Sequence, residues 1–134
     1  MTKLDNMVGF AMTTKPEEAK AFYGEKLGLT FVRDDGFALV FDAHGTMLRI
    51  AKAQKFTPAQ GTILGWEVHD ITAAVKDLAS AGVSFERYDF MKPDADGIVT
   101  FPTGDKVAWF KDPDGNVLSL SQHAHAAAIK QARA

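Results

Sequence analysis

Spacing alone brings two titratable side chains together. Glu67 and His69 stand two residues apart in the run Thr62 to Val68, which reads as a β-strand. Strand alternation then puts Ile63, Gly65, Glu67 and His69 on one face and turns Leu64, Trp66 and Val68 to the other. A carboxylate and an imidazole so placed could serve as general base, or hydrogen-bond acceptor, and as proton carrier. The plainer reading pairs Glu67 with Arg49 and leaves His69 as a solvated strand end. Arg49, in the apolar run Thr46 to Ala51, carries a permanent cation that could hold a ligand carboxylate or phosphate bidentately. Its plainer role is that same salt bridge, because an unpaired buried charge is costly.

Other chemistry is less well provided for. Ser119 and Ser121 are hydroxyls on one face of a strand, but a nucleophile needs a base and an oxyanion hole. The sequence names neither, and no Gly-x-Ser-x-Gly elbow occurs. His123 and His125 resemble a two-ligand metal pair, yet they open an alanine-rich stretch whose helical geometry would not bring them together, so they read as surface residues. Gly24 and Gly28 belong to a helix and its cap, not to a phosphate-cradling loop. With no cysteine, the chain has no disulfide, thiol nucleophile or thiolate-held metal.

The 134 residues are 46% hydrophobic and 24% charged, which is the balance of one globular domain with a sound core. A net charge of −2 with scattered Lys and Arg gives no footprint for nucleic acid or anionic lipid. No apolar run is long enough to span a bilayer, and the N-terminus lacks the apolar core of a secretory signal, so a cytoplasmic location is expected.

These residues need a frame. Met7 to Thr14 is largely apolar, and Thr14, Pro16, Glu17 and Glu18 then predict a helix capped by Thr14 and closed by Gly28. Leu29 to Arg33, Ala38 to Asp42 and Thr46 to Ala51 read as strands. Lys52 to Gln60 is a linker, after which the pattern restarts. Thr62 to Val68 is followed by a helix capped by Asp70 and closed by Gly82, with Ile71, Ala74, Val75, Leu78 and Ala81 as its apolar face. Val83 to Arg87, Ile98 to Phe101, Lys106 to Lys111 and Asn116 to Gln122 read as strands, and the alanine-rich tail reads as a helix with Lys130 and Arg133 at its negative end.

The restart is an internal repeat. Gly28-Leu29-Thr30-Phe31 returns as Gly82-Val83-Ser84-Phe85, and Gly45-Thr46-Met47-Leu48-Arg49-Ile50 as Gly115-Asn116-Val117-Leu118-Ser119-Leu120. The second copy is longer by the loop from Met91 to Gly97. One α+β domain of two βαβββ modules is expected: module one over about 7–52, module two over about 61–122, and a helical tail over about 123–134. Curved mixed sheets would surround a cavity.

Ala21-Phe22-Tyr23 with Leu27-Gly28-Leu29, the restart Gly65-Trp66-Glu67-Val68-His69-Asp70-Ile71, and Phe110-Lys111-Asp112-Pro113-Asp114-Gly115-Asn116-Val117-Leu118 resemble the vicinal oxygen chelate superfamily. That superfamily holds glyoxalase I, extradiol dioxygenases and bleomycin-binding resistance proteins, and the resemblance covers about residues 7–122. It implies homodimers, often with each cavity built from strands of two chains, and in the metal-using members one divalent ion held by His, Glu or Gln. The matching positions here are Val8, Arg49, Ile63 and Ser119. Hydrocarbon, a permanent cation and a lone hydroxyl make a poor donor set, so no metal and no other cofactor is expected.

The resemblance also makes the Glu67 face the cavity face. Val8, Phe10 and Met12 would line it from the first strand, with Val117, Ser119 and Ser121 opposite. Adjacent strand residues alternate, so one of Trp109 and Phe110 must face inward and could stack on a ring. The expected function is metal-independent binding of a small apolar or aromatic molecule, as in bleomycin-type resistance proteins. Arg49, Glu67, Phe10, Met12, Trp109, Ser119 and Ser121 are the candidate contacts. The alternative is a lyase, isomerase or dioxygenase with a non-standard metal site, or with Glu67 as general base and His69 beside it.

Overall fold

The computed structural model describes residues 2–125. The first repeat forms strand β1 (Val8–Thr13), helix α1 (Pro16–Ala21), and strands β2 (Thr30–Asp34), β3 (Ala38–Ala43) and β4 (Thr46–Lys52). The second forms β5 (Thr62–Glu67), α2 (Ile71–Ser80), β6 (Val99–Thr100), β7 (Lys106–Lys111) and β8 (Val117–Gln122). Each repeat builds a four-stranded sheet, ordered β1-β4-β3-β2 and β5-β8-β7-β6, so the sequence repeat is a repeat of topology. The predicted α+β class is the one observed. Among the described residues no helix is long and apolar enough to cross a membrane. The helix predicted from His123 to the C-terminus, with Lys130 and Arg133, lies almost wholly outside the described residues.

The chain divides into two compact units, one running to Leu64 and taking in Asp112–Val117, the other comprising Gly65–Lys111 and the chain from Leu118. In the first, β1 pairs parallel to β4, and β3 pairs antiparallel to both β4 and β2. Ala11, Thr13, Leu39, Phe41, Leu48 and Ile50 form its buried core, together with Ala19, Phe22 and Tyr23. The Asp112–Val117 turn is tied in by a buried polar network. The Asp112 carboxylate accepts from the Tyr23 hydroxyl at 2.7 Å, from Asn116 Nδ2 at 2.8 Å and from the backbone N–H groups of Asp114 and Asn116 at 2.9 Å. Asn116 also donates to the Met12 carbonyl at 2.9 Å. Burial and the neighbouring Asp112 charge push the Tyr23 phenol far above its ordinary range, so it stays a donor.

The first helix differs from its prediction. Thr14 does not cap it: its N–H and hydroxyl both go to Asp114 Oδ1, at 2.8 and 2.7 Å, and the N-cap residue is Lys15, with no side-chain cap. The distant Asp114, which also accepts from Thr13, holds the chain where it enters α1. The helix then widens into a π turn over Phe22–Lys26, where Leu27 N–H reaches the Phe22 carbonyl at 3.0 Å. Gly28, at φ 75°, ends it as predicted.

In the second unit α2 is capped by Asp70, whose carboxylate accepts from Ala73 N–H at 3.1 Å. The strand predicted over Val83 to Arg87 is not continuous. Phe85 makes one isolated bridge to Phe110, and the β7 edge is completed by Val99 and Thr100, a shorter strand than the predicted Ile98 to Phe101. The long loop between them explains the split. The Arg87 guanidinium donates to the Asp94 carbonyl at 2.9 Å, turning the chain out of the sheet before Gly97 returns it at φ 88°.

Candidate functional site

The first sheet places one candidate group by register. Phe10 lies beside Arg49 and Arg49 beside Val40, while Val8 pairs with Met47 and Met12 with Ala51. Residues side by side in a sheet share a face, so Val8, Phe10, Met12, Met47, Arg49 and Ala51 form one surface, opposite the core face of Ala11, Leu48 and Ile50. Its β1 and β4 part is open, with Phe10 60% exposed and Val8, Met12 and Met47 exposed too, while Ala38 and Val40 of β3, on the same face, are buried.

Arg49 does not wait for Glu67. Its Nη2 meets Asp35 Oδ2 at 2.6 Å, with both side chains half-buried. Asp35 is thus a partner for Arg49 within its own unit. Asp35 sits in the β2–β3 turn, where it also accepts from Phe37 and Ala38 N–H at 3.0 and 2.9 Å. The Arg49 hydrogen bond first, and then those N–H groups, hold its carboxyl far below the usual carboxylate range. A guanidinium has five donors and this contact uses one of them, so the cation stays able to bind. Asp35 was missed because only the strand register, not sequence distance, brings the Asp34-Asp35-Gly36 turn over Arg49.

In the second unit Glu67 ends β5 exposed, and among the described residues its carboxylate has no hydrogen bond or ion pair. His69 lies beyond the strand, on the surface. The Val68 N–H still pairs with the Ser121 carbonyl at 2.8 Å. Ser119 is buried, and a Cβ added at Gly65 would come within 2.6 Å of its hydroxyl oxygen. Phe110 is fully buried against Phe85, with ring centroids 5.4 Å apart. Trp109, on the alternate face, is half-buried with its ring edge-on to Tyr88 at 5.6 Å. The Ser121 hydroxyl lies 2.9 Å from His123 Nε2.

The positions at which the resemblance puts a metal do not fit one. Val8 and Ile63 offer no lone pair, Arg49 is a cation already paired, and Ser119 adds a single hydroxyl. Among the described residues no group of three or more His, Cys, Asp or Glu side chains is placed to hold an ion.

A family model described as the Glyoxalase/Bleomycin resistance protein/Dioxygenase superfamily matches residues 6–120, and the chain belongs to that superfamily. Its fold is shared by a glyoxalase family protein from Bacillus anthracis, at TM-score 0.67 and 19% identity, over 92% of this chain and 99% of that one. A glyoxalase/bleomycin resistance protein/dioxygenase from Nocardioides matches at TM-score 0.70 and 16% identity, over 94% and 87% of the two chains. A glyoxalase family protein from Enterococcus faecalis matches at 0.63 and 22%, over 89% and 96%. No curated protein matches the chain.

Proposed function

We propose that this protein binds a small apolar or aromatic molecule bearing an anionic or carbonyl group, without a metal. The observation that carries the reading is the open face of the first sheet, where exposed Val8, Phe10, Met12 and Met47 surround Arg49. Apolar surface left in water is unfavourable, at roughly 25 cal/mol per Å², so a flat hydrocarbon ligand gains by covering it. The spare guanidinium donors would fix the polar end of that ligand. Asp35 keeps the cation oriented and offsets part of its charge, which favours a carbonyl or single carboxylate over a multiply charged phosphate.

A second copy of the chain, as is usual in the family, would cover the remaining apolar surface. Equilibrium dialysis against a panel of aromatic carboxylates and ketones tests the reading. Binding that falls at least about tenfold in Arg49→Ala supports it, since a charge-assisted hydrogen bond contributes roughly 1.5–3 kcal/mol. Absence of binding across the panel, or tight binding of zinc, nickel, manganese or ferrous iron by the purified protein, overturns it. Because Glu67 is exposed with its carboxylate unengaged, turnover of a bound ligand that Glu67→Gln abolishes would point to the general-base reading instead.

A further inference from the structure

Ser121 and His123 are two residues apart, so the extended chain leaving β8 turns both side chains the same way. The result is a contact the sequence reading did not name: Ser121 Oγ lies 2.9 Å from His123 Nε2. On the far side of the ring, His123 Nδ1 lies 3.8 Å from Asp105 Oδ1. Asp105 is itself held in place. Its Oδ1 accepts the Ala124 N–H at 2.8 Å and its Oδ2 the Thr103 hydroxyl at 3.1 Å. The turn carrying it comes close to the chain after β8, since a Cβ on Gly104 would meet the Ala124 Cβ at 3.3 Å. The Ala124 N–H first, then the Thr103 hydroxyl and the charges of His123 and His125, outweigh desolvation and keep the Asp105 carboxyl below its usual range.

An anion facing Nδ1 favours the tautomer that carries its proton there, which leaves Nε2 as acceptor for the serine O–H. The His123 side chain is 45% exposed and that of Asp105 31%, so a reagent can reach the group.

We propose that Ser121, His123 and Asp105 form a nucleophilic serine site that takes activated acyl donors such as aryl esters. His123 Nε2 accepts the Ser121 proton as Oγ bonds to the ester carbonyl carbon. The carbon–oxygen bond to the aryl group breaks, and Nε2 returns the proton to the leaving aryloxide. Water then attacks the acyl-serine, giving its proton to Nε2, and Ser121 is released with that proton as the carboxylic acid departs. The three residues supply a nucleophile and a base rather than an oxyanion hole, so esters with good leaving groups are the class they serve. Asp105 is a positioning residue, acting through the imidazole.

The proposal is independent of the binding reading, since a failed ligand screen leaves Ser121 reactive and a failed acylation leaves the Arg49 face intact. The test is to treat the full-length protein with p-nitrophenyl acetate and with a fluorophosphonate, and to map the adduct by peptide mass. The expected result is a label on Ser121 that is lost in Ser121→Ala and retained in Ser84→Ala. Labelling should slow by about 100-fold in His123→Gln, the lower end of what a general base contributes. In Asp105→Asn labelling should slow with Ser121 still the labelled residue, and Asp105→Glu, which keeps the anion beside Nδ1, should restore most of the rate. Labelling confined to other residues, or Ser121 labelling at an unchanged rate in His123→Gln, would overturn the proposal. Circular dichroism of each variant separates loss of reactivity from loss of fold.

Discussion

Arg49 shows how one side chain joins the stability of a sheet to the chemistry of its open face. Asp35 is ionised in the folded chain at pH values where a free carboxylate takes up a proton, because Arg49 and two turn N–H groups stabilise the anion. A folded-state value below the unfolded one stabilises the protein above the ordinary carboxylate value of 3.8, and that stabilisation is lost as pH falls through and below it. Asp34, bonded to Lys52, and Asp114, bonded to Thr13 and Thr14, shift the same way. Denaturant midpoints should therefore be level from pH 7 to 5 and fall steeply below pH 4. In Asp35→Asn the neutral-pH midpoint should be lower and the acid-side fall shallower, and an unchanged pH profile in that variant would remove Asp35 from the explanation. The same substitution frees Arg49, so binding of a carboxylate ligand should tighten even as stability drops.

At the scale of the element, the sharpest constraint is a glycine inside β5. A methyl at Gly65 would lie 2.6 Å from the hydroxyl oxygen of the buried Ser119, well inside contact distance. Gly65 itself is exposed, so the clash falls on the Ser119 hydroxyl alone and Gly65→Ala should cost about 1 kcal/mol, the low end of overpacking. Removing the hydroxyl opens the space, since the next atoms of Ser119 are its carbonyl oxygen at 3.6 Å and its Cβ at 4.0 Å. The Gly65→Ala/Ser119→Ala double variant should then be more stable than Gly65→Ala alone, and additive losses in the cycle would show that the two do not touch. Strand alternation put Gly65 with Glu67 and Ser119 with Ser121, and only the family resemblance turned both faces to one cavity, whereas the Asp70 cap and the Gly28 and Gly82 stops were legible because each is a local rule acting over a few residues. The failures were non-local. Thr14 has the right chemistry for a cap, but a carboxylate about a hundred residues away takes its donors. Val83 to Arg87 has the pattern of a strand, yet the neighbouring loop leaves it only one bridge. Asp35 and His123 found their partners through register and turn geometry, which no short window of sequence contains.

For the whole molecule, chain order and structural unit part company. The first unit contains everything up to Leu64, yet it is completed by Asp112–Val117, reached only after the chain has passed through Gly65–Lys111. That late segment supplies the acceptor for the buried Tyr23 hydroxyl and the donor to the Met12 carbonyl, and Asp114 supplies the acceptors at the start of α1. Leaving a buried hydroxyl without a partner costs roughly 1–3 kcal/mol, and several such losses together approach the whole stability of a small domain. A fragment ending at Leu64 should therefore show no cooperative melt, although it contains all four strands of its sheet. Within the full chain, Tyr23→Phe should cost about 1 kcal/mol, because the Asp112 carboxylate keeps three other donors. Asp112→Ala should cost several times more, because it strips the partner from Tyr23 and Asn116 at once. Thermal melts of the fragment and the two variants decide the matter. If the fragment melts cooperatively, or Asp112→Ala is no worse than Tyr23→Phe, then the Asp-Pro-Asp-Gly-Asn turn is only a tight turn and does not close the first unit.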